Sequence, residues 1–247
     1  HGMLANGDMG DGRMPDEEVL LEYILREVSH EKDMAGKRVL VTAGATREAI
    51  DPVRFITNHS TGRMGIEIAR AAMYRGADVV LVKGATEVDA PMFVDMVDVV
   101  SAEDMYNAVT KHAPDCDIII KAAAVADYTP KTVAEQKIKK SAGDSVIELV
   151  RTKDILKTLG ETKKQGQFVC GFSMETENLL ENSAKKLESK NADMICANSL
   201  TDDGAGFGVG TNIITLITKD GAEKLPKLSK FECANAILDR IIKGENA

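Results

Sequence analysis

The sequence predicts an α/β fold, a Rossmann-like, mostly parallel sheet with helices on both faces and a small antiparallel lobe. Short apolar, β-branched runs alternate with helical segments of about 10–15 residues, which is the pattern of βαβ units. The first run, residues 38–43 (RVLVTA), is mostly apolar, as in a parallel strand buried on both faces. A chain of 247 residues suits one large α/β domain or a domain with a smaller lobe.

Each element follows from its own apolar period. The predicted strands are residues 38–43, 77–82, 96–100, 117–122, 146–150, 168–172, 194–197 and 213–217. The predicted helices are residues 16–28, 64–74, 102–112, 154–164, 178–190 and 231–242. Residues 126–151 and 201–229 break the alternation, and we expect them to form the small antiparallel lobe.

Composition excludes several classes of function. The net charge is −8 and there is no Trp, so neither a basic face nor a base-stacking platform for nucleic acid is expected. No apolar run has the roughly 20 residues of a membrane span, and no signal peptide is visible. The four cysteines lack metal-ligand spacing, so we expect reduced, buried thiols in a cytoplasmic protein without membrane contact.

The loop after the first strand is a candidate anion site. Residues 44–62 are longer than the roughly 2–6 residues of an ordinary βα turn, and no GxGxxG motif is present. Ser60 and Gly62 precede a helix whose backbone N–H groups could hold a phosphate. The alternative is that Ser60 or Thr61 is an ordinary helix N-cap.

A basic island follows the fourth strand. Residues 121–157 hold eight basic and five acidic residues in an otherwise acidic chain, which suits a polyphosphate or a carboxylate. Lys186 and Lys190, four residues apart, share a face of a later helix. The alternative for both groups is solvated surface lysines. From the residues alone, the sequence indicates nucleotide-type anion binding without defining a reaction.

Six segments together resemble the phosphopantothenate–cysteine ligase family, also called phosphopantothenoylcysteine synthetase. They are VTAGATREAIDPVRFITNHSTGRMG, KAAAVADYTP, EQKIKK, TKDIL, VCGFSMET and ADMICAN, and the resemblance covers residues 36–242. GDMGDGRMPDEE resembles the substrate clamp that ends the flavin-dependent decarboxylase, to which the bacterial ligase is commonly fused. Asn6 stands where that clamp usually has Cys.

The resemblance implies a division of the chain. Residues 1–36 would be a tag remnant, a decarboxylase clamp remnant and a helical linker, and residues 37–247 a CTP-dependent ligase domain. The chain would then be the C-terminal half of a bifunctional protein. FMN is expected only for the decarboxylase half.

The resemblance also implies a reaction in coenzyme A biosynthesis. The carboxylate of 4′-phosphopantothenate would attack the α-phosphate of CTP, giving an acyl-cytidylate and pyrophosphate, with Mg²⁺ assisting. The amine of L-cysteine would then displace CMP to give 4′-phosphopantothenoylcysteine. The family is dimeric, which implies a homodimer formed through the small lobe.

The residue roles are carried over on matching motifs. Lys137 and Asn58 would be catalytic, Lys137 on the triphosphate and Asn58 on the second step, while Arg54, Asn58 and Ala124 would bind the acyl substrate. The residues implied to hold the nucleotide are Ser60, Gly62, Asp127, Lys137, Lys153, Asp154, Ile155, Leu156, Phe172, Lys186 and Lys190. The family often has Pro where this chain has Lys153, residues 139–144 correspond to a mobile flap, and the metal ligands stay undefined.

Two other classes of protein are disfavoured. A nicotinamide-dependent oxidoreductase predicts GxGxxG after the first strand and an acidic residue after the second, but these strands end VTAGATRE and LVKGAT. A non-enzymatic anion-binding module leaves Asn58, Asp127 and Lys137, all on strand-end loops, without an explanation.

Overall fold

A large central sheet organises the protein in the computed structural model, which describes residues 2–3, 7–12, 14–139, 145–175, 177–199 and 208–245. In chain order the strands are β1 (Gly2–Met3), β2 (Met9–Gly10), β3 (Arg38–Ala43), β4 (Arg47–Ala49), β5 (Phe55–Thr57), β6 (Asp78–Lys83), β7 (Asp95–Asp98), β8 (Ile118–Lys121), β9 (Tyr128–Pro130), β10 (Leu149–Arg151), β11 (Phe168–Glu175), β12 (Met194–Ser199), β13 (Thr211–Asn212), β14 (Ile214–Thr218), β15 (Gly221–Lys224) and β16 (Leu228–Ser229). The α-helices are α1 (Glu17–Val28), α2 (Arg63–Tyr74), α3 (Ala102–His112), α4 (Ile155–Thr162), α5 (Leu179–Ser189) and α6 (Lys230–Glu245).

The central sheet has the strand order β15-β14-β12-β11-β8-β3-β6-β7. The six strands from β12 to β7 are parallel, and β14 and β15 extend the sheet antiparallel at one edge. Counted along the chain, the parallel strands lie in the order 3-2-1-4-5-6 of a doubly wound fold. The order reverses between β3 and β8, and ligands of such folds bind in the crevice beyond that point.

Helices cover both faces of the sheet, as the sequence predicts. Successive residues of β3 alternate between two cores: Val39 and Val41 pack with α2 and α6, whereas Leu40 packs with α3, α4 and α5. This alternation follows from the two-residue period of a strand. The four cysteines are buried in these cores and form no disulfide, as expected, and burial raises the pKa of Cys116 and Cys233 to about 11.

Small antiparallel sheets accompany the main sheet, also as predicted. Residues 126–151 contribute the β9–β10 ribbon, and residues 201–229 contribute β14 and β15 to the sheet edge and pair β13 with β16. The β4–β5 hairpin, which the sequence does not predict, occupies the long loop after β3. Asn6 and most of the expected flap, residues 140–144, lie outside the described residues.

Candidate active site

Two adjoining cavities open at the carboxyl ends of the parallel strands. Cavity A, of about 450 Å³, lies between the segment after β8, the connection from β10 to α4, and α5. Cavity B, of about 400 Å³, lies between the N-terminus of α2, the segment after β8 and the end of β11. Four residues line both cavities: Lys121, Val125, Asp127 and Lys186. The two cavities therefore share a wall at the switch point of the sheet.

Backbone hydrogen bonds fix the two loops that meet at the switch point. The Ala45 N–H donates to the Ala85 carbonyl (2.9 Å), and the Ala124 N–H donates to the Gly44 carbonyl (2.9 Å). The Asn58 side-chain amide donates to the Ala124 carbonyl at 3.2 Å. Asn58 is thereby held at the rim of cavity B, beside the small side chains of Ala123 and Ala124.

Three glycines determine how closely the β3 loop and α2 approach the sheet. Gly44 and Gly62 both have positive φ, +81° and +77°, and a Cβ built on Gly62 would lie 3.0 Å from the Gly44 Cα. A Cβ on Gly65 would lie 2.7 Å from the Ala43 Cβ, so Gly65 lets α2 lie directly over β3. Gly44, Gly62 and Gly65 thus correspond to the first, second and third glycines of a GxGxxG motif, which provide the turn, the close approach and the helix packing. In that motif one residue separates the first two glycines, whereas here residues 45–61 separate them.

The N-terminus of α2 faces cavity B without a side-chain cap. Gly62 is the N-cap residue, and the Ser60 hydroxyl accepts a hydrogen bond from the Gly62 N–H at 3.3 Å. The alternative in which Ser60 or Thr61 is an ordinary N-cap of this helix is therefore wrong. Unsatisfied N–H groups at a helix N-terminus favour an anion.

Cavity A is lined by paired and partly buried charges. The Lys190 ammonium lies 2.7 Å from an Asp154 carboxylate oxygen, and Asp154 also caps α4 through the Lys157 N–H (2.9 Å). Burial alone would raise the pKa of Asp154, but its bonds to Lys190 and Lys157 outweigh burial and lower it. The Lys186 ammonium donates to the Phe172 carbonyl at 3.0 Å, and burial lowers its pKa.

Most residues implied by the resemblance line one of these cavities. Cavity A includes Asp127, Lys153, Asp154, Ile155, Leu156, Lys186 and Lys190. Cavity B includes Asn58, Ser60, Gly62, Ala124 and Phe172. Lys153 lines cavity A, although its ammonium pairs with Glu103 at 2.7 Å. Lys137 and Arg54 line neither cavity.

Arg54 and the segment carrying Lys137 are held together outside the walls of both cavities. The buried Asp51 carboxylate pairs with the Arg54 guanidinium and accepts the backbone N–H of Ile138 at 3.1 Å. Arg54 also donates to the Ile138 carbonyl at 3.1 Å. The Asp51 cluster, meaning Asp51, Arg54 and Ile138, therefore joins the β4–β5 hairpin to the segment of Lys137, whose own side chain is exposed.

Several polar residues that line the cavities are not assigned to the site by any sequence motif. The sequence indicates Lys121 only as the first residue of the basic island, yet Lys121 lines both cavities. Asn198, Asn212 and Lys230 are buried and line cavity B. The signal for Lys121 was present, because a charged residue ends the apolar run IIIK of β8 at the edge where ligands bind.

The fold and the two cavities define a doubly wound α/β protein with a ligand cleft at its switch point. A sequence profile for the "DNA/pantothenate metabolism flavoprotein C-terminal domain" matches residues 34–244, and the chain belongs to that family. In the described ranges, no helix is long and apolar enough to cross a membrane. The same residues contain no group of three or more His, Cys, Asp or Glu side chains suited to a metal ion.

Several known proteins are similar to this chain. The coenzyme A biosynthesis bifunctional protein CoaBC of Bacillus subtilis (strain 168) is 46% identical over 244 residues, and that of Escherichia coli (strain K12) 41% identical over 244 residues. These matches cover 97% and 98% of this chain, which spans 60% of the length of each relative.

Solved structures are similar to this chain as well. A crystal structure of the C-terminal domain of a CoaBC protein is 48% identical, has a TM-score of 0.74, and covers 86% of this chain and 97% of its own. A solved complex with phosphopantothenate-cysteine has a TM-score of 0.68 at 15% identity and covers 96% of this chain and 98% of its own, which shows a likeness of fold alone.

Proposed function

We propose that this chain is a ligase domain of coenzyme A biosynthesis that joins 4′-phosphopantothenate to L-cysteine with CTP. The observation that carries the proposal is the pair of cavities with a shared cationic wall at the switch point. The first step of this reaction joins two bound anions, the nucleotide and the acyl substrate, and needs two such sites in contact. The similarity to the CoaBC proteins, which are named for coenzyme A biosynthesis, supports the same assignment.

The nucleotide would occupy cavity A and the acyl substrate cavity B. The pantothenate carboxylate attacks the α-phosphate, a new P–O bond forms, and pyrophosphate leaves with the electron pair of the broken P–O bond. This step is needed because a carboxylate oxygen is a poor leaving group, whereas CMP leaves readily from the mixed anhydride. The cysteine amine then attacks the acyl carbon, loses a proton and releases CMP.

Asn58 would act on the second step. Its side-chain amide has two N–H groups, and the Ala124 carbonyl accepts a hydrogen bond from one of them at 3.2 Å. The other N–H is oriented by that bond and would donate to the oxyanion formed when the amine attacks. A preorganised donor of this kind stabilises charge that develops only in the transition state.

Mg²⁺ is expected with the nucleotide rather than in a site made only of protein groups. Mg²⁺ usually binds through one or two carboxylates together with substrate phosphates. Asp127 and Asp154, both on the wall of cavity A, are the carboxylates that fit this role. Bound there, the ion would offset the triphosphate charge as the α-phosphate is attacked.

Lys137 would contact the triphosphate once both substrates are bound. Its neighbour Ile138 is held by the Asp51 cluster, and its own side chain is exposed. We therefore expect the Lys137 side chain to reorient when the nucleotide binds, while its segment stays held in place.

The homodimer is part of the same proposal. The β9–β10 ribbon exposes three large apolar side chains, those of Tyr128, Leu149 and Val150, and the segment before β10 exposes two more, those of Val146 and Ile147. A second copy of this small lobe is the proposed cover for these side chains. Sedimentation of the wild-type chain and of Leu149→Glu would test it, with the dimer lost in the variant.

One assay tests the proposed reaction. The chain is mixed with CTP, Mg²⁺, phosphopantothenate and cysteine, and pyrophosphate and the amide product are measured. ATP replaces CTP in a parallel reaction, and phosphopantothenate is omitted as the control. We expect CTP to be used much better than ATP, because a compact pyrimidine fits a site read by strand-end backbone. No pyrophosphate with CTP contradicts the function, and equal kcat/KM for both nucleotides contradicts the base preference.

A further inference from the structure

Lys121 occupies the position where the two cavities meet. It is the last residue of β8, paired in register with Thr42 of β3 on one side and Gly171 of β11 on the other. Lys121 lines both cavity A and cavity B, and it is half-buried. Because β8 is held between β3 and β11, the sheet fixes the position of the Lys121 backbone.

The Lys121 ammonium has no hydrogen-bonding or ion-pairing partner among the residues that the structure describes. The charged groups that influence it are Lys186 on α5, Asp154 before α4, and Asp127 after β8. Asp154 is already paired with Lys190, and Lys186 donates to a backbone carbonyl. Lys121 is therefore a cation in the shared wall whose hydrogen bonds are available for a ligand.

We propose that Lys121 binds the α-phosphate of the nucleotide and the carboxylate that attacks it, and so holds two mutually repelling anions together. This inference rests on the proposed function and adds a binding residue to it. As the new bond from carboxylate oxygen to phosphorus forms and pyrophosphate leaves with the electron pair of the broken bond, Lys121 keeps its proton. Its role is electrostatic, and it transfers no group.

The charge state of Lys121 makes the role testable. Burial, followed by the nearby charge of Lys186, lowers the pKa of Lys121 to about 8, against the opposing effects of Asp154 and Asp127. The protonated form is the active form here, so kcat/KM for CTP falls as the pH rises above about 8. With phosphopantothenate held below its KM, that ratio reports the free enzyme, in which no substrate anion raises the pKa.

The experiment measures pyrophosphate release in a single turnover without cysteine, CTP affinity by calorimetry, and kcat/KM for CTP as a function of pH. The variants are Lys121→Met, which removes the charge, and Lys121→Arg, which keeps it. Lys185→Met is the matched control, since Lys185 is an exposed lysine of α5 paired with Glu181 at 2.7 Å, outside both cavity walls. Circular dichroism confirms that each variant is folded.

We expect Lys121→Met to slow pyrophosphate release by about 10²–10³-fold, the usual effect of losing one charge-stabilising donor, and to weaken CTP binding at least about tenfold. Lys121→Arg should retain more activity and lose the decline above pH 8, because a guanidinium stays protonated there. A merely structural role would not move that pH limb. Lys185→Met should behave as wild type.

The failures are distinguishable. If the wild-type chain releases no pyrophosphate from CTP, the proposed function is wrong, and the role of Lys121 in that step falls with it. If the wild-type chain is active while Lys121→Met keeps its rate and its CTP affinity, the proposed function stands and Lys121 has no such role.

Discussion

The two groups of lysines in this protein differ in what holds them. Lys121, Lys186 and Lys190 come from β8 and from the face and end of α5, and all three line cavity A. Lys137 and Lys139 lie two residues apart in the chain and are exposed on a segment that lines neither cavity. In the first group, Lys121 is far in sequence from Lys186 and Lys190 but lines the same cavity, whereas the second group is close in sequence and outside the walls.

The difference shows that a sequence cluster of lysines and a spatial cluster of lysines need not coincide. Strand ends and helix faces bring distant cations to one place, while a local run of cations repels itself and stays solvated. The wall lysines are in place before any substrate arrives. The exposed lysines would contribute only after binding.

The largest expected effect tests whether the exposed group takes part in the reaction at all. Lys137→Gln should abolish detectable acyl-cytidylate formation, because a neutral amide cannot offset the triphosphate charge. Pyrophosphate release from CTP measures this, with Lys139→Gln as the matched exposed control. Near-normal pyrophosphate release by the Lys137 variant would mean that the lysines lining cavity A are enough for this step and that Lys137 takes no part in it.

A second change concerns the donor at the rim of cavity B. Asn58→Asp should leave pyrophosphate release largely intact and slow the cysteine step by about 10²–10³-fold, because a carboxylate repels the oxyanion and cannot donate to it. Mass spectrometry after quenching should detect a trapped acyl-cytidylate. Asn58→Ala removes the donor without adding charge and should be less impaired; normal turnover in both variants would rule out a catalytic role.

The Asp51 cluster, which holds the segment of the exposed lysines Lys137 and Lys139, should become less stable at low pH. The Arg54 guanidinium, together with backbone N–H groups, holds the pKa of Asp51 well below its usual range despite burial. A depressed carboxyl pKa adds stability above the unfolded value of about 4, and that stability is lost as the pH falls below it. Asp51→Asn should therefore have a lower Tm at pH 7 and a Tm less sensitive to acid.

The control for that experiment is Asp220→Asn, since Asp220 is an exposed acid 3.4 Å from Arg240. Thermal denaturation between pH 3 and pH 7 compares the two variants with the wild type. If Asp51→Asn follows the wild-type acid dependence, the cluster contributes no charge-dependent stability. The segment of Lys137 would then be held by its backbone bonds alone.

The smallest effect is expected at Lys153, a wall residue whose ammonium is already engaged by Glu103 at the surface. Exposed ion pairs of this kind contribute little. Lys153→Met should change the KM for CTP by no more than a few-fold, as measured by steady-state kinetics beside Lys157→Met. A large rise in KM would show that Lys153 leaves Glu103 for the nucleotide and belongs with the other wall lysines.

Much of the fold could be predicted from the sequence because the buried strands carry an unbroken apolar signal. RVLVTA and IIIK lie in the centre of the sheet, where both faces are covered. The β4–β5 hairpin could not be predicted, because REA and FIT are too short and too exposed for a clear period.

The sequence predicts which loops contribute to the candidate site better than it predicts which side chains contact one another there. Asn58 and Asp127 lie on strand-end loops, as the fold requires. The contacts of Lys190 with Asp154 and of Lys121 with both cavities depend on how α5 and β8 meet the other elements. Those contacts join residues far apart in the chain, and no local pattern specifies them.

The three glycines at the start of α2 have a consequence for chain entropy. Gly44 and Gly62 touch in space, so residues 45–61 form a closed loop that leaves and re-enters the framework at one point. Closing a longer flexible loop costs only about 0.6 kcal/mol for each doubling of its length. The framework could thus accept, at small cost, an insertion that carries Arg54 and Asn58. If residues 45–61 were exchanged between related chains, we would expect a change in which acyl substrate is bound. The walls of cavity A would stay in place, because they contain no residue of this loop.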